Sequence, residues 1–311
     1  MDLRTSLLLG IGITIIANLF FALSSACVQA LPEHFPVMEI VFFQNFISLI
    51  VIIPYCMKKG TLNFQRTNLS LHLVRDLAGV LSFWTLFLAI QKMGLVNATV
   101  LSYMSPFYVP FVCKLWRKEP IEKDVWWMVV IGFIGVLIIL KPKNLFYLSS
   151  LIGTLSALCS AFAVVALKNL NRQGESLSRT LLYFFITGTL FSLIFCLFQW
   201  QTPTLFQLLL LILLGALSIL AQIFLTTAYR YGTASFLSPL SYSIIIFTTL
   251  ISGLFFHEPQ HWSIWIGIFI IISGGTLSFF FRIRPKKVEG LFARQNHVKK
   301  GLAFWKKYPK E

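Results

Sequence analysis

Acidic side chains are scarce in this chain. Asp and Glu number 11 against 26 Lys and Arg, and charged residues make up 12% of the 311 positions where hydrophobic ones make up 57%. So little polar sequence cannot cover the surface of a water-soluble protein, which excludes a soluble globular domain. Cysteine is sparse as well: Cys27, Cys56, Cys113, Cys159 and Cys196 are odd in number and lack any C-x-x-C spacing. They read as small, reduced packing residues, not as a disulfide framework or a thiolate metal site. No G-x-x-x-x-G-K-[ST] phosphate loop occurs, so nothing points to nucleotide hydrolysis or to a bound nucleotide cofactor.

What the chain does have is long apolar runs. Ten of them, near 5–30, 36–57, 71–91, 95–115, 125–140, 150–169, 180–200, 205–229, 234–256 and 262–281, are each about the length a helix needs to cross a bilayer. The first follows Arg4 and exceeds a signal-peptide core, so it reads as a span. With the N-terminus placed in the cytosol, 23 of the Lys and Arg fall inside and only Lys92, Lys141 and Lys143 outside. The positive-inside rule then puts both termini in the cytosol, as expected of a multi-pass protein of a bacterial inner membrane. The net charge of +15 follows from that topology and from the tail, and does not imply nucleic acid. The tail, 282–311, has ten basic and two acidic residues, with Leu291, Val298, Leu302 and Trp305 at helical spacing. A surface helix on anionic lipid suits this pattern, with disorder or a partner site as alternatives.

His257-Glu258-Pro259-Gln260-His261 matches H-E-x-x-H, in which two histidines on one helix face hold zinc. An internal repeat argues against zinc. Residues 101–120 overlie 240–259 without a gap at an offset of 139, pairing Leu101, Ser102, Tyr103, Glu119 and Pro120 with Leu240, Ser241, Tyr242, Glu258 and Pro259. Trp126 meets Trp265, and with a two-residue slip Gly12, Phe21 and Ala22 meet Gly153, Phe162 and Ala163. In the first half the motif's place is taken by Lys118-Glu119-Pro120-Ile121-Glu122, which has no histidine. Pro259 would also break the helix the two histidines must share, so the motif reads as a helix end and no metal is expected.

Each repeat holds five spans. An odd number forces the two halves into opposite orientations, a device of secondary transporters. The expected fold is therefore all-α, a polytopic membrane protein with ten transmembrane helices as two inverted five-helix repeats. The first repeat is 1–141, the second 142–281, and 282–311 is a basic cytosolic tail.

The sequence resembles the drug/metabolite transporter superfamily, specifically ten-span carriers made of two EamA-type repeats. The likeness rests on the span count, the Leu101-Ser102-Tyr103 and Pro106 region, the Pro239-Leu240-Ser241-Tyr242 region, and the acidic residue closing each span. Glu39 to Phe46, Gly132-Phe133-Ile134-Gly135 and Lys141-Pro142 look like the bacterial branch that includes S-adenosylmethionine uptake carriers. The resemblance implies a central cavity open alternately to either side, and no enzymatic activity. Members of the branch commonly carry an arginine where Gln44 stands, so this chain departs from the pattern there.

Candidate substrate contacts are Asn18, Gln44, Trp84, Ser102, Tyr103, Gln222, Ser241 and Tyr242, polar or aromatic groups within spans. Asn45 extends the set. Glu39, three residues after Pro36, is the candidate for coupling or an outer gate, or else a carboxylate held by a helix N-terminus. Arg75 and Asp76 read as an interfacial pair, and Gly153, Ala157 and Ala161 as a packing stripe. The substrate set then has no fixed charge. It suits a neutral, zwitterionic or singly cationic metabolite, an amino acid or a nucleoside-like compound such as S-adenosylmethionine, with Trp84 as a stacking face. Export of drugs or other metabolites, a channel and an intramembrane hydrolase are the alternatives.

Overall fold

The computed structural model describes residues 3–60, 68–117, most of 130–139, 148–231, 237–257, 262–270 and 273. All regular structure among them is helical. In chain order the helices are α1 (Leu3–Gln29), α2 (Val37–Lys58), α3 (Leu69–Met93), α4 (Leu95–Ser102), α5 (Ser105–Arg117), α6 (Leu148–Arg172), α7 (Leu177–Cys196), α8 (Leu205–Tyr231), a 3-10 turn (Ser238–Tyr242) and α9 (Ser243–Phe255). Seven stretches are long and apolar enough to cross a membrane, one of them running through both α4 and α5. The chain is a multi-pass membrane protein. About half of each of the expected spans five and ten falls outside the described residues, as do Glu258 to His261 and the tail entirely.

Local sequence sets the helix ends. Pro36, extended, precedes α2, and Gly94 at φ +80° separates α3 from α4 in a conformation that side chains other than hydrogen avoid. Ser176 caps α7 by accepting a hydrogen bond from the Arg179 backbone N–H at 3.2 Å. α9 ends at Phe255, and His257 follows exposed at φ +49°, so the helix has stopped where the H-E-x-x-H pattern begins.

Polarity is arranged inside out. Ile15, Ile50, Val51, Leu190, Ile194, Leu209 and Leu213 face outward, while Asn18, Gln44, Asn45, Thr85 and Thr248 are buried. Without water, buried hydroxyls need partners, and many find them one turn back. Thr14, Thr85, Thr189 and Ser192 donate to the carbonyls of Gly10, Leu81, Phe185 and Gly188 at 2.6–2.7 Å.

The packing is reciprocal. α1 lies against α8 as α3 lies against α6, α1 meets α9 as α6 meets α4 and α5, and α2 packs on α7. Burial repeats with it. His72, Arg75, Asp76, Gly79 and Val80 of α3 fall, at an offset of 139, on Leu211, Leu214, Gly215, Ser218 and Ile219 of α8, all buried. The first helix of each half needs a correction. Gly12 is exposed where Gly153 is buried, so the two-residue slip does not align interior faces. At an offset of 143, Gly10, Thr14, Asn18 and Ala22 meet Gly153, Ala157, Ala161 and Val165, and all eight are buried. Gly153 is held by close approach, since a Cβ there would lie 2.9 Å from the Leu101 Cβ.

Candidate functional site

A cavity of about 90 Å³ opens between the helices of the two halves. That is room for roughly half a dozen waters. α1 contributes Asn18, α3 contributes Arg75, Gly79 and Ser82, the α4–α5 junction contributes Ser102, Tyr103 and Ser105, α6 contributes Ser156 and Ser160, α7 contributes Phe184, α8 contributes Gln222 and Tyr229, and the 3-10 turn contributes Ser241.

Broken helices make this wall polar. The α4–α5 span unwinds at Tyr103 and Met104, just ahead of Pro106, which has no N–H to give to a continuous helix. The break carries Ser102, Tyr103 and Ser105 into the cavity. Ser241, the repeat counterpart of Ser102, lies in the 3-10 turn just ahead of α9, within the ninth expected span. Asn18 bridges to that turn, donating to the Leu240 carbonyl at 2.9 Å and to Ser243 Oγ at 2.8 Å. Across the cavity Ser82 Oγ donates to the Ser156 carbonyl at 3.0 Å, and Ser156 Oγ donates to the Ser82 carbonyl at 2.8 Å.

Arg75 adds to this wall a charge that the expected set lacked. It is 3% exposed and Asp76 1%, so the pair is buried in the bundle. Arg75 sits six residues into α3 and looks across at α8, where its Nη2 donates to Gln222 Oε1 at 3.2 Å. Its Nη1 lies 3.3 Å from Asp76 Oδ1, and its guanidinium carbon stands 3.8 Å over the Phe184 ring. Thr187 donates to the other Asp76 oxygen at 3.4 Å. Gly79, one turn on, leaves room for Phe184, whose ring would be 2.8 Å from a Cβ there.

Of the residues singled out in the sequence, Asn18, Ser102, Tyr103, Gln222 and Ser241 come together in the cavity wall, and Gln44, Trp84, Tyr242 and Glu39 do not. Gln44 donates to Ser218 Oγ at 3.1 Å between α2 and α8. Trp84 is half-buried against the apolar core, so it supplies no stacking face to the cavity. Tyr242 is buried edge-on to Phe107. Glu39 is fully buried at the far end of the bundle, where one carboxylate oxygen accepts from the Gln201 backbone N–H at 3.0 Å and the other has no partner among the described residues. Sequence reasoning missed Arg75, Ser82, Ser156 and Phe184. The signal was the spacing: Arg75, Gly79, Ser82 and Leu86 follow one face of a helix. Among the described residues no group of three or more His, Cys, Asp and Glu could hold a metal.

Below the cavity, at the end where α3 begins, Glu175 ties the turn between α6 and α7 to its surroundings. Its Oε1 accepts from Arg179 Nη1 at 2.6 Å, its Oε2 is 3.6 Å from His72 Nε2, and its carbonyl accepts from Arg230 at 3.2 Å. Burial pushes the Glu175 carboxyl up, but Arg179, the Ser176 N–H and His72 outweigh it and hold the group below the usual glutamate range.

The comparisons with known proteins agree with this architecture. The pattern of the EamA-like transporter family matches residues 8–141 and again 148–280. The pseudopaline exporter of Pseudomonas aeruginosa is 29% identical over 273 residues, 86% of this chain and 95% of that one. The riboflavin transporter of Vibrio cholerae is 29% identical over 279 residues, covering 87% and 92%. The S-adenosylmethionine uptake transporter of Rickettsia conorii is 28% identical over 275 residues, again covering 87% and 92%. A solved crystal structure superposes with a TM-score of 0.67 at 17% identity, over 89% of this chain and 97% of that one, and so shares the fold. With both halves matched, the chain belongs to the EamA-like transporter family, whose members carry small molecules across membranes.

Proposed function

We propose that the chain is a secondary carrier for a small organic metabolite, working by alternating access between two inverted five-helix repeats, 1–141 and 142–281, with both termini in the cytosol of a bacterial inner membrane. The observation that carries this reading is the cavity between the halves, lined by the broken segments of two repeat-related spans. Discontinuous helices at the junction of inverted repeats are where such carriers hold substrate. The reciprocal packing and the recurring burial at offsets of 139 and 143 support the repeats. The odd span count and the 23-to-3 charge split support their inversion.

The cavity lies toward the end where α3 begins and α8 ends, which charge assigns to the cytosol. At the opposite end Phe35, Phe87, Ile90 and Leu95 pack as fully buried core. This conformation is therefore closed to the outside, and a nucleoside-sized ligand would need the halves to part. Asn18, Ser102, Tyr103, Gln222 and Ser241 serve as polar substrate contacts in this reading, while Glu39 belongs to the outer closure. Amino acids or nucleoside-like metabolites remain the class of choice, S-adenosylmethionine among them.

Thermal-shift screening against metabolites, followed by uptake in liposomes, tests the carrier reading. Saturable uptake with counterflow is expected. Non-saturating flux would identify a channel, and reporter fusions placing the C-terminus outside would overturn the inverted topology.

A further inference from the structure

We propose, resting on the carrier reading of this cavity, that Arg75 anchors the carboxylate of the transported metabolite and that Asp76 holds that carboxylate's place in the empty carrier. Arg75 is the only charged side chain among the described residues lining the cavity. The rest of the wall offers the hydroxyls of Ser82, Ser102, Ser105, Ser156 and Ser160 and contains no acidic group. Ser82, Ser102 and Ser156 already give their protons to backbone carbonyls, so the one fixed cation is the feature of this wall that suits an anionic ligand end.

The guanidinium is underused where it stands. Arginine presents five donors in a planar fork that fits a carboxylate with two parallel bonds, usually at about 2.7–2.9 Å. Here Nη1 reaches Asp76 at 3.3 Å and Nη2 reaches a neutral amide oxygen, Gln222 Oε1, at 3.2 Å. Both contacts are long, and Asp76 uses only one oxygen because Thr187 claims the other. The Phe184 face fixes the fork's plane from one side, and Gly79 is what allows the ring so close. The arrangement is preorganised, weakly occupied and facing space.

Asp76 lies behind Arg75 and is not in the wall. It balances the cation in a buried site where an unpaired charge would be costly. A zwitterionic substrate that displaces this long, single contact gains a bidentate one and brings its own ammonium, so the displaced Asp76 and the ligand together leave no net charge in the site. A doubly charged phosphate with no cation of its own would leave two uncompensated negative charges beside the neutral Arg75–Asp76 pair, so the carboxylate of a zwitterion fits better. Weak prior pairing also leaves the ligand releasable, as a carrier requires.

The repeat sharpens the assignment. At the offset of 139, Arg75 and Asp76 fall on Leu214 and Gly215, so the charged centre belongs to one half and has no mirror image in the other. A pair that served only to pack α3 into the bundle has an uncharged equivalent in the same molecule.

The test is counterflow in liposomes with the common amino acids and S-adenosylmethionine, each run beside its methyl ester or its decarboxylated amine. Acids should be carried and their carboxyl-free partners excluded. Arg75→Gln alone leaves Asp76 buried without its cation and endangers folding, so the decisive variant is Arg75→Gln with Asp76→Asn, which removes both charges at nearly constant volume. With its thermal transition retained, it should lose roughly 30-fold or more in kcat/KM for the acids. Asp76→Asn alone also costs stability, because Arg75 is left unpaired, but KM does not depend on how much folded carrier is present: the folded fraction should show a lower KM and a lower kcat, because the competing carboxylate is gone and release is slowed, a split that loss of structure would not produce. Carboxyl-free partners carried as well as the acids, undiminished transport by the double variant, or a raised KM in Asp76→Asn would each overturn the inference and leave the carrier reading standing. Transport of neither acids nor their partners would overturn both.

Discussion

Arg75 and Asp76 are adjacent in sequence and opposite in charge, and they are buried together among apolar helices. Their mutual dependence makes a prediction about stability that is separate from transport. Removing one partner leaves the other charge buried and uncompensated, at a cost of about 3–5 kcal/mol, whereas replacing both by neutral groups of similar size is often nearly neutral. Unfolding in detergent should show Arg75→Ala and Asp76→Ala each strongly destabilised and the double Arg75→Gln, Asp76→Asn variant close to the parent. Additive losses would mean the two side chains do not act as a pair. At this scale the sequence was partly legible. Asn18, Ser102, Tyr103, Gln222 and Ser241 could be picked as polar groups in apolar runs, and they converge. Arg75 was not, because counting basic residues for topology assigns every cation to a loop. Only the four-three-four spacing of Arg75, Gly79, Ser82 and Leu86 betrays a helix face, and a hidden face can point to lipid, to core or to a cavity. Trp84 shows the opposite error: a tryptophan away from the span ends drew attention by its type, yet it packs against the core.

At the scale of elements, helix breaks decide the site. Pro106 and the Pro239 region were singled out in the sequence only for the resemblance they carry, and the repeat made Ser102 and Ser241 correspond, but that the helices are interrupted there is visible only in the structure. The register of the first helix in each half was not legible in the sequence either. Matches among Leu, Ile, Phe and Ala carry little information, and a slip of 141 in place of 143 turns the interior face of α1 toward lipid. The connection between α6 and α7 was equally hidden, because the partners of Glu175 come from α3, α7 and α8. Its carboxyl sits below the usual glutamate range, so it contributes stability that is fully present above the unfolded value, about 4.3, and is lost as pH falls through the lower folded value. Glu175→Gln should therefore lower the melting temperature at neutral pH, and the gap to the parent should close below about pH 4. A gap that persists or widens in acid would show that the carboxylate does not hold this turn.

For the whole molecule, near-symmetry in packing coexists with asymmetry in chemistry. The same interfaces recur in both halves, α1 on α8 and α3 on α6, but the charged centre and the open space lie at one end and the sealed apolar core at the other. On the proposed inversion the two halves can exchange conformations, which would open the end that is now sealed. Sidedness follows. In a variant with Cys27, Cys56, Cys113, Cys159 and Cys196 replaced, a Ser160→Cys thiol in the cavity wall should react with a membrane-impermeant maleimide added to inside-out vesicles, and slowly in right-side-out cells. Substrate outside should speed the external reaction, because a carrier that exchanges its ligand must visit the outward-open state. Rapid labelling from both sides at once would mean a continuous pore. Labelling from the outside alone would invert the topology, and with it the assignment of the charged centre to the cytosolic half.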